Sequence, residues 1–237
     1  MRAATRDCTV SCITGNAPTL REILSVMKNP PLPGDRKRHD YCIACRAEAV
    51  RQVTEDDRDY FDCRECGHRA ERRLVMDPAM RWWVAPDGEY WHESAGVFAR
   101  NPDGTFLFLR RKMFPVGSTT VPSGHVDLAD KSLEIAAARE FNEETGLLVD
   151  GLVAVATDDI VGDSCRRGSD AHRWHSFKVG FDPPIGPEDL TLHSDDPEES
   201  DELEEPVWLT LDEALQTKLT YPVRYVIERH RDELEGP

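Results

Sequence analysis

Residues 124–147 read GHVDLADKSLEIAAAREFNEETGL, and this stretch decides the fold. Its second part has the marks of a helix over 133–145, with Ser132 placed to cap the start and Gly146 placed to stop the end. Glu140, Glu143 and Glu144 stand at i, i+3 and i+4, so three carboxylates share one face of that helix. Like charges at that spacing destabilise a helix, and this one is expected to be partly buried through Leu133, Ala136 and Ala137. Such a face needs a counter-charge, and hard divalent cations such as Mg²⁺ or Mn²⁺ favour carboxylate oxygens. A solvated acidic face is the plain alternative.

The flanks place that helix in a mixed α/β unit. Ser94–Arg100 and Thr105–Arg110 read as strands joined by the turn Asn101-Pro102-Asp103-Gly104. Residues 119–126 read as a strand broken at Pro122-Ser123-Gly124, and 152–156 and 174–181 as further strands. Residues 188–205 carry ten acids and no Lys or Arg, the pattern of a solvated loop. A short strand at Val207–Thr210 and helices from Asp212 and from Pro222 to about Arg231 close the chain. Strands mixed with a few helices over this length predict one compact α/β or α+β domain.

Upstream of it, Cys42/Cys45 and Cys63/Cys66 form two C-x-x-C pairs with 17 residues between them. Paired thiolates at that spacing predict a closed, structural four-cysteine Zn²⁺ site, a zinc ribbon over 35–75 with Asp59-Tyr60-Phe61 as a strand between the knuckles. His68 is placed just outside the ligand set, and Cys8, Cys12 and Cys165 read as ordinary thiols. Residues 17–28 suit a short amphipathic helix through Leu20, Ile23, Leu24 and Met27, and 29–34 a Pro-rich linker. The segments are therefore 1–34, the ribbon 35–75, a connector 76–91 and the α/β domain 92–237.

Charge separates these parts. Residues 1–91 hold 15 basic and 15 acidic side chains, whereas 92–237 hold 14 and 30, which gives the whole net charge of −16. An acidic body without a basic stripe disfavours long nucleic acid as a partner but accepts a small phosphate ligand beside divalent cations. No apolar run is long enough to span a membrane. Met1–Val10 has two arginines with no apolar run behind them, so it is not read as a signal peptide, and a cytoplasmic location is expected.

Arg139-Glu140-Phe141-Asn142-Glu143-Glu144-Thr145-Gly146-Leu147 resembles the Nudix box, R-E-U-x-E-E-x-G-U with U apolar, and Pro122-Ser123-Gly124-His125-Val126 resembles the strand and loop that open it. The resemblance is to the Nudix hydrolase superfamily and covers about 92–232. The loop from Gly124 to Arg139 is one residue longer than the family's, so Asp130 is expected to brace Arg139 across a bulge. The resemblance implies an α/β/α sandwich with a mixed sheet and Mg²⁺ or Mn²⁺ held by Glu140, Glu143, Glu144 and the backbone carbonyl of Ser123. It implies catalysis by Glu140 and Glu143 with Arg139, and Glu205 or Glu202 of the acidic loop as a further candidate base. Arg110 or Arg111 would steady phosphate, with Arg166, Arg167 and Arg173 as further basic candidates, and Trp83 would stack on a base. The implied reaction is hydrolysis of a nucleoside diphosphate linked to another group, by an enzyme expected to be a homodimer. The order ribbon, linker, box is similar to the NADH pyrophosphatase branch, which includes enzymes removing NAD caps from RNA. That branch's Ser-Gln-Pro-Trp-Pro-Phe-Pro segment is missing from 147–181, so NAD(H) specificity is not supported, and NAD(H) or NAD-capped RNA stands only as the alternative substrate. A non-catalytic nucleotide sensor with a docking ribbon is the other alternative.

Overall fold

The computed structural model describes residues 32–56, 58–191 and 203–236. The helix expected over 17–28, Cys8, Cys12 and Glu202 lie outside them. The first described region is a small β unit. Strand β1 (His39–Tyr41) pairs with β5 (Leu74–Met76), while β2 (Val50–Glu55), β3 (Arg58–Cys63) and β4 (Arg69–Ala70) form an antiparallel meander. The expected strand at 59–61 is the middle of β3. In both C-x-x-C turns the residue after the second cysteine has positive φ, Arg46 at 65° and Gly67 at 73°. Glycine occupies that conformation without the Cβ penalty that Arg46 carries.

The larger unit is one mixed sheet in the order β11 (Val153–Val161), β12 (Ala171–Gly180), β7 (Tyr90–Arg100), β8 (Phe106–Arg111), β13 (Leu203–Leu209). Short strands β6 (Trp82–Val84) and β10 (Ser123–His125) add to β7, and β9 (Thr119–Thr120) adds to β8. Only β12 and β7 run parallel among these pairings. The segment expected as a connector thus contributes β6 and the start of β7 to the sheet. The strand expected over 152–156 extends to Val161, because its whole length pairs with β12 apart from a bulge at 154–156.

Alternation along the strands divides the core. Ala95, Val97 and Ala99 of β7, with Leu107 and Leu109 of β8, pack against Ala136, Ala137 and Phe141 of helix α1 (Leu133–Thr145). Phe98, Phe106 and Phe108 point to the opposite face and pack with Leu211 of α2 (Leu211–Leu215) and Val223, Val226 and Ile227 of α3 (Tyr221–Glu235). Helices on both faces make the α/β/α sandwich. Helix α1 has the predicted ends: Ser132 Oγ accepts from the Ile135 amide at 3.2 Å, and Gly146, at φ 74°, donates its N–H to Asn142 at 2.7 Å. No described helix is long and apolar enough to cross a membrane.

The small β unit is fastened to the loop between β11 and β12. The amides of Arg73 and Val75 donate to the carbonyls of Arg166 and Arg167 at 3.2 and 3.0 Å. Arg72 pairs with Asp170 at 2.7 Å and Arg166 with Asp59 at 3.3 Å.

Candidate active site

Two carboxylates of α1 converge on the loop that opens the 124–147 stretch. Glu144 accepts the Ser123 amide at 2.8 Å. Glu140, almost fully buried, lies directly under Gly124, where any Cβ would overlap its carboxylate. Glycine is therefore required at 124 by close approach of a side chain. Glu143 turns the other way, to the guanidinium of Arg139 at 2.8 Å.

Arg139 is the hub. It contacts Glu140 at 2.9 Å, Asp130 at 3.1 and 3.3 Å, and the carbonyl of His125 at 3.0 Å. The contact with Asp130 across the lengthened loop is the one the sequence led us to expect. Burial alone would lower the pKa of this guanidinium, but the bond to Asp130 and the charges of Glu140 and Glu143 outweigh it and hold it above its ordinary value. Burial raises the pKa of Glu143, with Arg139 opposing, and does the same to Asp127. These contacts correct one expectation. The acidic face of α1 does not depend on a cation for all of its counter-charge, because Arg139 and the Ser123 amide supply part of it from within the protein.

A cavity opens beside Ser123, Gly124 and His125, and four arginines line it: Arg73, Arg111, Arg166 and Arg167. Phe114 and Trp174 add aromatic surface, and the buried indole N–H of Trp174 has no hydrogen-bond partner. Of the basic residues expected to meet phosphate, Arg111, Arg166 and Arg167 line this cavity. Arg110 is exposed at the end of β8. Trp83 stacks on Trp91 at 5.6 Å, beneath Arg173, and borders a separate shallow depression with Met80 and Leu128. Arg173 itself is engaged by Asp159 at 2.7 Å. Arg73 comes from the small β unit, a contribution that strand patterns within the α/β domain do not reveal. Glu205 is exposed on β13, in the bulge between Leu203 and Pro206.

In the small β unit the four cysteines come together. Cys42 and Cys66 sulfurs lie 3.8 Å apart and those of Cys45 and Cys63 3.6 Å apart, and all four fall within 4.8 Å of one another. Tetrahedral zinc with Zn–S bonds of about 2.3 Å separates its sulfurs by about 3.8 Å. The donor set therefore fits zinc. His68 is exposed and outside the cluster. Cys165 is not the isolated thiol expected from sequence, since its sulfur lies 3.5 Å from a ring nitrogen of His92.

The helix with its Arg-Glu-x-x-Glu-Glu run, packed on one face of the mixed sheet, defines a Nudix type of scaffold. The family model described as NUDIX domain matches residues 91–230, so the chain belongs to the Nudix family of hydrolases. No curated protein sequence matches it. Among solved structures it is similar to a MutT Nudix hydrolase from Burkholderia pseudomallei, with 22% identity, 60% of this chain and 98% of that one covered, and a TM-score of 0.46. It is also similar to a MutT protein from Methanosarcina mazei Go1, with 25% identity, 60% and 94% coverage and a TM-score of 0.48. The Nudix domain of Shewanella oneidensis NrtR, solved with ADP-ribose, matches at 16% identity, 60% and 87% coverage and a TM-score of 0.48.

Proposed function

We propose that the protein is a Mg²⁺- or Mn²⁺-dependent pyrophosphohydrolase acting on a nucleoside diphosphate linked to a second group, and that the four cysteines hold a structural Zn²⁺. The observation that carries the first part is the convergence of Glu140 and Glu144 on the Ser123–Gly124 loop, at the mouth of a cavity bearing Arg73, Arg111, Arg166 and Arg167. Carboxylate oxygens are the donors that Mg²⁺ and Mn²⁺ prefer, so Glu140, Glu144 and the Ser123 carbonyl would hold the ion, with Glu143 assisting. When bound, such an ion neutralises phosphate oxygens and lowers the pKa of a water.

The chain's own residues supply the rest. Arg139 fixes the carboxylates of Glu140 and Glu143 in place. Glu143, whose proton affinity burial raises, takes the proton from the attacking water; a variant at Glu205 distinguishes that exposed carboxylate as the competing base. The cavity arginines balance the remaining phosphate charge, and Phe114 and Trp174 offer surface and an N–H donor to the nucleoside. The cavity lies where the small β unit meets the α/β domain, which assigns the ribbon a share in binding through Arg73.

The test is a panel of ADP-ribose, NADH, dinucleoside polyphosphates and nucleoside triphosphates with Mg²⁺. A nucleoside monophosphate product is expected from at least one of them. Glu140→Gln should lower kcat by roughly 10²–10⁴-fold with the fold intact. Tight nucleotide binding with no turnover in either Mg²⁺ or Mn²⁺ would instead make the protein a sensor.

A further inference from the structure

Three histidines and a cysteine from distant parts of the chain meet at one end of the main sheet. His92 on β7 and His172 on β12 are directly opposite one another in parallel register. His125 ends β10 and pairs in register with Ser94, two residues from His92 on the same face of β7. Cys165 reaches them from the loop between β11 and β12. The ring centroids of His92 and His125 are 4.8 Å apart, and those of His92 and His172 5.5 Å. One donor atom from each of the four residues lies within 4.8 Å of the others.

We propose that His92, His125, His172 and Cys165 form a second metal site, distinct from the four cysteines and from the box carboxylates, which takes a borderline-soft divalent transition ion of the Zn²⁺ class. This inference does not rest on the pyrophosphohydrolase reading.

Three observations carry it. First, His92 is 0% and His172 2% exposed, and the Nε2 atom of His125 is buried with no hydrogen-bond partner. Buried imidazole nitrogens normally have a partner, and a metal ion is one that would satisfy several at once. Second, the spacing suits tetrahedral coordination. Bonds of about 2.3 Å to sulfur and about 2.0 Å to nitrogen place S and N about 3.5 Å apart, and the Cys165 sulfur is 3.5 Å from His92 Nδ1. Third, Asp163 Oδ2 lies 2.9 Å from His172 Nδ1 as an ion-pair contact, without the alignment of a hydrogen bond. A carboxylate on one ring nitrogen is the usual device for orienting an imidazole whose other nitrogen binds a metal. Binding displaces the thiol proton of Cys165 to solvent, and its thiolate with the Asp163 carboxylate supplies negative charge for a dication.

With four protein donors the site is closed, so its role is structural. It joins β7, β10, β12 and the 162–170 loop. His125 directly follows Gly124, so the ion fixes the backbone under which Glu140 sits. The loop carrying Arg166 and Arg167 is anchored through Cys165 at the same point.

The test is metal analysis of the full-length protein, purified without chelator in the presence of Zn²⁺. About two zinc ions per chain are expected, falling to about one in Cys165→Ala and to about one in Cys42→Ser. Retention of one ion in Cys165→Ala shows that its ribbon is still folded. Loading with Co²⁺ gives a second readout: the thiolate-to-cobalt absorption of Cys42→Ser should include a weak single-thiolate component, lost in Cys42→Ser/His172→Gln. Cys165 should resist iodoacetamide in the zinc-loaded protein and become labelled after chelation. One zinc per chain in the wild type, unchanged by Cys165→Ala and accompanied by ready labelling of Cys165 in loaded protein, would overturn the site.

Discussion

The four-cysteine unit and the box helix gather like charge in opposite ways. Cys42, Cys45, Cys63 and Cys66 place four sulfurs within 4.8 Å of one another on two short turns, with only small strands around them. Four thiolates this close repel one another, and a bound zinc ion would organise them. Helix α1 places Glu140, Glu143 and Glu144 on one face, but Arg139 and the Ser123 amide already hold them, and Ala136, Ala137 and Phe141 bury the other face against the sheet. On the proposed reading, a metal ion is what folds the first region, whereas it completes a second region that already has its own internal counter-charge. The lesson is that an acidic cluster alone does not announce a metal, because an internal arginine can answer it.

The strongest way to break this contrast is to remove the ribbon's ion. Structural zinc contributes about 10–16 kcal/mol to folding in zinc-finger peptides. Cys42→Ser, or a chelator, should therefore abolish hydrogen-exchange protection of strands β2 and β3 while strands β7 and β8 keep theirs. Equal protection in both regions after zinc loss would erase the distinction.

A smaller effect tests the box side. Arg139→Met leaves Glu140, Glu143 and Asp130 without their shared partner and should lower thermal stability of the metal-free protein by about 1–3 kcal/mol. Added Mg²⁺ should recover more of that loss than it adds to the wild type, since it replaces a missing positive charge. A variant as stable as the wild type without metal would show that Arg139 is not the internal counter-ion.

The smallest effect lies at the edge of the ribbon. Hydrogen bonds that the His39 ring donates to Asp35, and then to Glu48, raise its pKa at the start of β1. A raised folded value means that the stabilisation is fully present below the unfolded pKa of about 6.5 and is lost as pH rises through the folded value. The His39 ring should titrate above about 6.5 by NMR, and Asp35→Asn should move it down. A ring titrating at or below the ordinary value would remove this tether.

Much of this architecture is legible in the sequence because its signals are local. Ser132 and Gly146 delimit α1, Asn101-Pro102-Asp103-Gly104 joins β7 to β8, and the C-x-x-C spacing marks the ribbon. The Arg139–Asp130 contact was also within reach, since both residues lie in one motif. What escapes is made by pairing between distant strands. Trp82–Val84 joins the sheet because Tyr90–His92 offers it an edge. His92, His125, Cys165 and His172 span some eighty residues and carry no common spacing, so only the register of β10, β7 and β12 brings them together. Arg73 enters the cavity because the ribbon docks on the loop between β11 and β12.

The most direct test of the central claim, that Glu140 and Glu144 hold a divalent ion at the Ser123–Gly124 loop, is a Mn²⁺ titration followed by electron paramagnetic resonance. The wild type should bind Mn²⁺, and Glu140→Gln/Glu144→Gln should lose that binding while its zinc content and circular dichroism stay unchanged. Undiminished Mn²⁺ binding by the double variant would contradict the claim.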